Sequence, residues 1–167
     1  MTALLEGSRP ILIEVQALAA KAGFGTPQRV ATGYDGRRLA LLLAVLDKRA
    51  GLSFAQLDVF LNVVGGLRLA EPAGDLAVAA ALASAVTGTP TPEGAAFVGE
   101  VSLTGLVRQV SGMPQRLAAA EVAGCSRVFG APGPETERHR LLTPVRHVSE
   151  ALSWTHDSAV ATRRRAS

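Results

Sequence analysis

Cysteine is almost absent from the 167-residue chain. Its single example, Cys125, cannot close an internal disulfide or build a cysteine-cluster metal site. Lysine is nearly as scarce, with Lys21 and Lys48 alone. Neither follows a glycine-rich loop, so the chain has no Gly-x4-Gly-Lys-Ser/Thr cradle for nucleotide phosphates. No apolar run reaches the roughly 18 to 20 residues that cross a bilayer. The opening MTALLEGSRP has no basic start and meets Glu6 early, which speaks against a secretory leader. The three histidines, His139, His147 and His156, include no i, i+4 pair, so no metal motif emerges; surface positions are their ordinary use. A Gly-x-Ser-x-Gly nucleophile elbow is also missing. Cys125, between Gly124 and Ser126, reads as a small packed hydrophobe rather than a nucleophile. These absences lead us to expect a cytoplasmic, metal-independent domain.

What is present suits a folded core. Hydrophobic residues make up 48% of the chain and charged residues 19%, so wholesale disorder is excluded. Seventeen Lys and Arg face 14 Asp and Glu, a formal charge of +3. Three of those positives are Arg163, Arg164 and Arg165, and without them the body is neutral. The basic balance is therefore weak evidence for nucleic acid. Nearly all of the base is arginine, whose planar fork suits phosphate and carboxylate, although a GC-rich coding bias gives the same composition.

The pattern predicts alternating strands and helices. Residues 9–19 place Ile11, Ile13, Val15 and Ala17 on one side of a strand, and 28–32 could pair back on it as a hairpin. Asp35 is a candidate N-cap for a helix over 37–50, whose apolar residues recur at helical spacing up to Gly51. Residues 58–64, nearly continuous in apolar character, read as a buried central strand, followed by a Gly65-Gly66 turn and a possible extension over 67–70. A helix is expected over 72–86, strands over 96–101 and 103–110, a helix over 114–123, a short strand over 127–130 and a helix over about 145–154. The whole is an α/β domain with a mixed sheet, spanning 1–157, with a disordered basic tail over 158–167. Asp58, Glu71, Asp75 and Glu100 stand near element ends, where α/β sites are often built, although capping and solvation are the ordinary roles there.

Four stretches carry a resemblance. They are RRLALLLAVLDKRAGL (37–52), DVFLNVVGGLRLAEPAGDLAVAAALAS (58–84), GEVSLTGLVRQV (99–110) and RLAAAEVAG (116–124). Together with EGSRPILIEVQAL (6–18), they resemble the C-terminal domain of the bacterial RadA (Sms) family of DNA-repair proteins, over about residues 4–155. That domain is related to the proteolytic domain of the Lon proteases. The resemblance implies the Lon proteolytic-domain-like fold, of the ribosomal protein S5 domain 2-like type. Lon enzymes use a Ser–Lys dyad. At the matching positions this chain has Ala73, in Glu71-Pro72-Ala73-Gly74, and Pro114, in Ser111-Gly112-Met113-Pro114. No lysine follows Lys48, so proteolysis by this dyad is not expected and no catalytic residue is assigned.

The resemblance further implies a longer protein with an N-terminal zinc finger and a RecA-like ATPase. That family acts in homologous recombination, drives branch migration with ATP and assembles as hexamers on DNA, beside a recombinase. ATP, magnesium and zinc would belong to those other domains, and no cofactor is expected here. The implied role is a non-catalytic, nucleoid-associated scaffold that supports ring assembly and touches the phosphates of single-stranded or branched DNA. The candidate contacts are Arg29, Arg37, Arg38, Arg68 and Arg108. Arg38 and Arg108 match arginines of the family's motifs, whereas Arg37 replaces the usual Asn. Each could equally be a surface ion pair. Arg163–Arg165 could add a non-specific contact or be a solvated end. Two other readings stand: a protein-interaction and oligomerisation module without direct DNA contact, and a Lon-class enzyme using some non-standard residue.

Overall fold

The computed structural model describes residues 1–6, 9–23 and 25–155. The basic tail and His156 lie outside the described residues. The architecture is α/β with mixed sheets, as the alternating pattern requires.

The chain opens with β1 (Thr2–Glu6) and β2 (Arg9–Ile13), an antiparallel hairpin that pairs Thr2 with Ile13 and Leu4 with Ile11. The sequence pattern did not reveal β1, because Thr2, Ala3 and Leu4 are all buried and leave no alternation to read. The single strand expected over 9–19 is two strands. Glu14 separates β2 from β3 (Val15–Lys21), which joins another sheet.

β4 (Arg29–Thr32) leads into α1 (Gly36–Ala50), and β5 (Leu57–Val63) follows. Asp35 accepts the Arg38 amide at the start of α1, and Gly51 ends it in the left-handed conformation, φ 68°. Both caps follow from the sequence. The expected β3–β4 hairpin does not form: β5 lies between them, antiparallel to β3 and parallel to β4. A helix connecting two strands permits a parallel pairing, and α1 is that connection. β5 is central, as expected, but it is buried on one face only. Val59, Leu61 and Val63 point into the core, while Phe60 points outward between Leu18 and Val30 of its neighbours. Residues 67–70 do not extend the strand.

A 3-10 turn over Pro72–Gly74 feeds α2 (Asp75–Thr87). This helix is apolar nearly all round, which marks it as internal. It packs against α1, β3 and β6 (Ala95–Val98). Leu76, Val78 and Leu82 are fully enclosed; each stabilises the fold by about 1.5–3 kcal/mol relative to exposure.

A short hairpin follows, β7 (Glu100–Val101) with β8 (Val107–Arg108). Most of the strand expected over 103–110 is instead the turn between them, closed by hydrogen bonds from Ser102 and Gly105 amides to Leu106 and Ser102 carbonyls. Then come α3 (Met113–Val122), β9 (Arg127–Gly130), β10 (Leu142–Pro144) and α4 (Val148–Ala151). β6, β9 and β10 form a parallel sheet in the order 10-9-6. Its two faces are both covered. Ala95 and Phe97 join the core around α2, whereas Ala96, Val98 and Val128 pack with Met113, Leu117 and Ala120 of α3. Burial on both faces explains the unbroken apolar run of β6. β10 was not expected. The terminal helix is shorter than expected and starts only after His147, which caps it by accepting the Ser149 amide.

Candidate functional site

Ala73 lies in the 3-10 turn before α2, is buried, and its carbonyl accepts the Gly99 amide at 2.8 Å. Pro114 is the second residue of α3 and is exposed. A methyl and a pyrrolidine ring offer neither an attacking oxygen nor a proton acceptor. An ion pair joins the two segments. Glu71, two residues before Ala73, meets Arg116, two residues after Pro114. The Arg116 Nη1 and Nη2 donate to Glu71 Oε1 and Oε2 at 2.8 and 2.6 Å. Arg116 is 0% exposed, and its remaining donors serve the carbonyls of Ala3 and Ser111. The Leu5 amide also donates to Glu71 Oε1, at 2.9 Å. One bidentate pair thus ties β1, α3 and the turn before α2 together.

Arg116 was not singled out by the sequence, yet a signal was there. The buried positions of α3 are 113, 116, 117 and 120, the apolar stripe of a helix, and an arginine stands in that stripe. Glu71 does more than the capping or solvation expected of it. Burial would raise its pKa, but hydrogen bonds from Arg116 and the Leu5 amide outweigh that effect and hold the carboxyl below its ordinary 4.5. A carboxyl whose folded pKa is depressed contributes stability that is full above its unfolded pKa and lost as pH falls through the folded value. We therefore expect the urea midpoint to fall as pH drops from about 6 to about 3, and the Glu71→Gln variant to fall less over the same range. An identical pH dependence in the variant would show that Glu71 is not the group responsible.

A second constellation surrounds Asp75 at the start of α2. The carboxylate is only 2% exposed. It accepts the Tyr34 hydroxyl at 2.8 Å, Arg38 Nε at 2.6 Å, a second Arg38 donor, Nη2, and the Val101 amide at 3.2 Å. The N-terminal end of a helix favours a negative charge there. Burial and the neighbouring Asp75 push the Tyr34 hydroxyl pKa well up, and the hydrogen bond to Asp75 raises that of Arg38. Tyr34 therefore stays protonated and Arg38 stays charged throughout the working pH range. This network forms the inner wall of a cleft of about 360 Å³ between α1 and the β7–β8 hairpin. Leu41, Val101 and Leu103 supply apolar walls, and Arg108 faces Glu100 across 3.8 Å.

The five candidate arginines are divided. Arg38 and Arg108 line this one cleft, together with Asp75 and Glu100. Arg37 is exposed beside them on α1, with no ion pair among the described residues. Arg29 is committed elsewhere: its guanidinium donates to the carbonyls of Gln28, Phe54 and Leu57 and pins the loop before β5. Arg68 lies by a separate depression lined by Leu4, Leu5 and Glu71. Asp58 serves as a backbone acceptor for the Gln28 amide at 2.7 Å. Cys125 is buried, and burial raises its thiol pKa, as suits a packed side chain. His139 and His147 are half-buried rather than on the surface, and each accepts a nearby backbone amide. Among the described residues no group of three or more His, Cys, Asp or Glu could hold a metal ion, and no helix is long and apolar enough to cross a membrane.

Comparison with known proteins adds the family context. The sequence pattern of the Lon protease (S16) C-terminal proteolytic domain matches residues 49–158. The chain is 52% identical over 120 residues to the DNA repair protein RadA of Brucella abortus, covering 72% of this chain and 26% of that protein. It is 48% identical over 129 residues to the Bacillus subtilis protein of the same name, covering 77% and 28%. For Rickettsia prowazekii the figures are 42% over 146 residues, covering 87% and 33%. The chain thus spans about a quarter to a third of the length of these curated relatives.

Proposed function

Because the chain belongs to the family of Lon protease C-terminal proteolytic domains, in the form seen in proteins named for DNA repair, we propose that it is a non-catalytic Lon-like scaffold of a RadA-type repair protein. In this reading it supports ring assembly, a hexamer in the full-length setting, and holds the phosphate backbone of DNA during recombination and branch migration. The recombinase is a partner of the whole assembly. ATP, magnesium and zinc are handled by the rest of the longer polypeptide, since neither lysine follows a glycine-rich loop and the one cysteine stands alone.

One observation carries the scaffold reading. The two segments where a Ser–Lys dyad would meet hold Ala73 and Pro114, and Arg116–Glu71 links them rigidly. A serine and a lysine must approach within hydrogen-bond reach, with the lysine neutral, for such a dyad to work. The DNA reading rests on Arg37, Arg38 and Arg108. Arg38 is held by Asp75, whereas Arg37 is exposed and Arg108, 63% exposed, meets Glu100 only at 3.8 Å, which leaves both within reach of a phosphate.

Backbone contacts of this kind are independent of sequence and release counterions. Fluorescence anisotropy on single-stranded and branched oligonucleotides should show binding that weakens steeply with salt. The Arg37→Ala, Arg108→Ala double variant should bind about tenfold more weakly, with its salt slope reduced by about two. Light scattering on the same samples reads the oligomeric mass. No binding at low salt would remove the DNA role and leave the alternative, an oligomerisation module without DNA contact.

A further inference from the structure

Residues 67–70 belong to no strand, yet their backbone is laid out like one. The chain is extended at Leu67, φ −78° and ψ 157°, and again at Glu71, φ −88° and ψ 144°. The Leu69 amide donates to the Gly33 carbonyl at 2.7 Å, and a Cβ on Gly33 would stand 2.5 Å from the Leu67 carbonyl oxygen. Residues 67 and 69 thus turn backbone groups toward Gly33. Extended chain alternates, which sends the amide and carbonyl of Arg68 and the amide of Ala70 to the opposite side. Both residues are exposed, and their backbone groups have no hydrogen-bond partner among the described residues.

This open edge borders a cavity of about 300 Å³. Leu4, Leu5, Ile11 and Ile13 of the β1–β2 hairpin line it, together with Leu67, which is 37% exposed. Glu71 ties the segment to β1 by accepting the Leu5 amide at 2.9 Å, so the two walls are held together without a ligand. The charges at the cavity are not mutually satisfied. Glu71 is neutralised by the buried Arg116, whereas Arg68 has no ion pair among the described residues. One positive charge is left uncompensated beside an apolar hollow.

The geometry points to a peptide-binding groove that takes an extended segment of a partner protein by strand addition. Unmet main-chain donors and an unmet acceptor in extended chain are answered by another polypeptide backbone. A large apolar side chain of the segment enters the cavity. An Asp or Glu two residues along, on the same face of the added strand, meets Arg68. A DNA backbone accepts hydrogen bonds and donates none, so it cannot answer the Arg68 carbonyl, and it brings no apolar side chain. This goes beyond the DNA reading and does not depend on it.

The test uses this chain and a fluorescein-labelled nonapeptide, Thr-Thr-Glu-Thr-Leu-Thr-Glu-Thr-Thr, read by anisotropy. It should bind, and exchanging its leucine for serine should weaken binding about tenfold. Methylating the amides along one edge of the peptide should abolish binding, and methylating those along the other edge should spare it, because only one edge bonds to residues 68–70. Leu67→Ser should weaken binding about tenfold and Arg68→Gln about threefold. Val122→Ser, which alters a 91%-exposed residue of α3 outside the groove, should change nothing. These positions are exposed, and circular dichroism checks that each variant is folded. In the unaltered chain, hydrogen exchange followed by NMR should slow at the Arg68 and Ala70 amides when peptide is added. It should stay the same at Leu69, whose amide is already bonded. Failure of the nonapeptide to bind, equal binding of the serine peptide, equal effects of methylation on the two edges, or unchanged exchange at Arg68 and Ala70 would each overturn the proposal. So would an oligonucleotide bound here in the peptide's place, lost in Arg68→Gln but not in Leu67→Ser. DNA binding that depends on Arg37 and Arg108, by contrast, bears only on the scaffold-and-DNA reading.

Discussion

Arg116→Ala should lower the unfolding free energy by about 3 kcal/mol, toward the low end of the cost of removing one partner from a buried ion pair, because Arg116 is fully enclosed but its partner Glu71 is 29% exposed. The guanidinium is fully enclosed and serves Glu71 twice, the Ala3 carbonyl and the Ser111 carbonyl. Its loss leaves the Ala3 carbonyl without that donor in a buried place and leaves Glu71 beside a cavity. For a domain of this size the melting temperature should drop by roughly ten degrees or more. Replacing both partners separates the unpaired-charge cost from the worth of the pair. The Arg116→Met, Glu71→Gln double variant should recover a substantial part of the loss, because no charge is left without its partner. A loss below about 1 kcal/mol for Arg116→Ala, read from urea midpoints, would mean that the pair does not hold β1 to α3.

Asp75→Ala is the second large effect, again about 3–5 kcal/mol. Asp75 collects donors from three places: Tyr34 before α1, Arg38 within it, and the Val101 amide of β7. Removing it strands a buried phenol, a half-buried guanidinium and a backbone amide together. Tyr34→Phe, which takes away one hydrogen bond and leaves the ion pair, should cost only about 1 kcal/mol. The ratio between the two variants is the informative quantity. Equal losses would place the stabilisation in the Tyr34 hydroxyl and not in the Arg38–Asp75 pair. Because Arg38 also lines the cleft, Asp75→Ala should loosen that wall even where the protein still folds.

Much of the architecture is legible in the sequence. The α1 helix with both caps, α2, α3, β9 and the central position of β5 follow from periodicity, capping residues and glycine punctuation, which are local signals. The misreadings share a physical cause. β1 and β10 are short, and their burial is decided by neighbours distant in sequence, so no local period marks them. The supposed β3–β4 hairpin fails because pairing partners are chosen by the whole sheet: β5 enters between the two once α1 has carried the chain across. Among the five candidate arginines, the resemblance set Arg38 and Arg108 apart, but the sequence did not show which of the others were committed elsewhere. Only folding separates Arg29, spent on three carbonyls, from Arg38 and Arg108, which share a cleft.

The sequence by itself determined the family resemblance, the α/β class and the identities Ala73 and Pro114, because residue type alone decides whether a hydroxyl and an amine are present. The tertiary structure decided which charged groups meet around them. That Arg116 finds Glu71, and Asp75 finds Tyr34 and Arg38, depends on contacts 45, 41 and 37 residues apart along the chain. A charged side chain in a helix reads the same whether it faces water or a buried partner, and only the packing of α3 and α2 against the rest of the protein settles which.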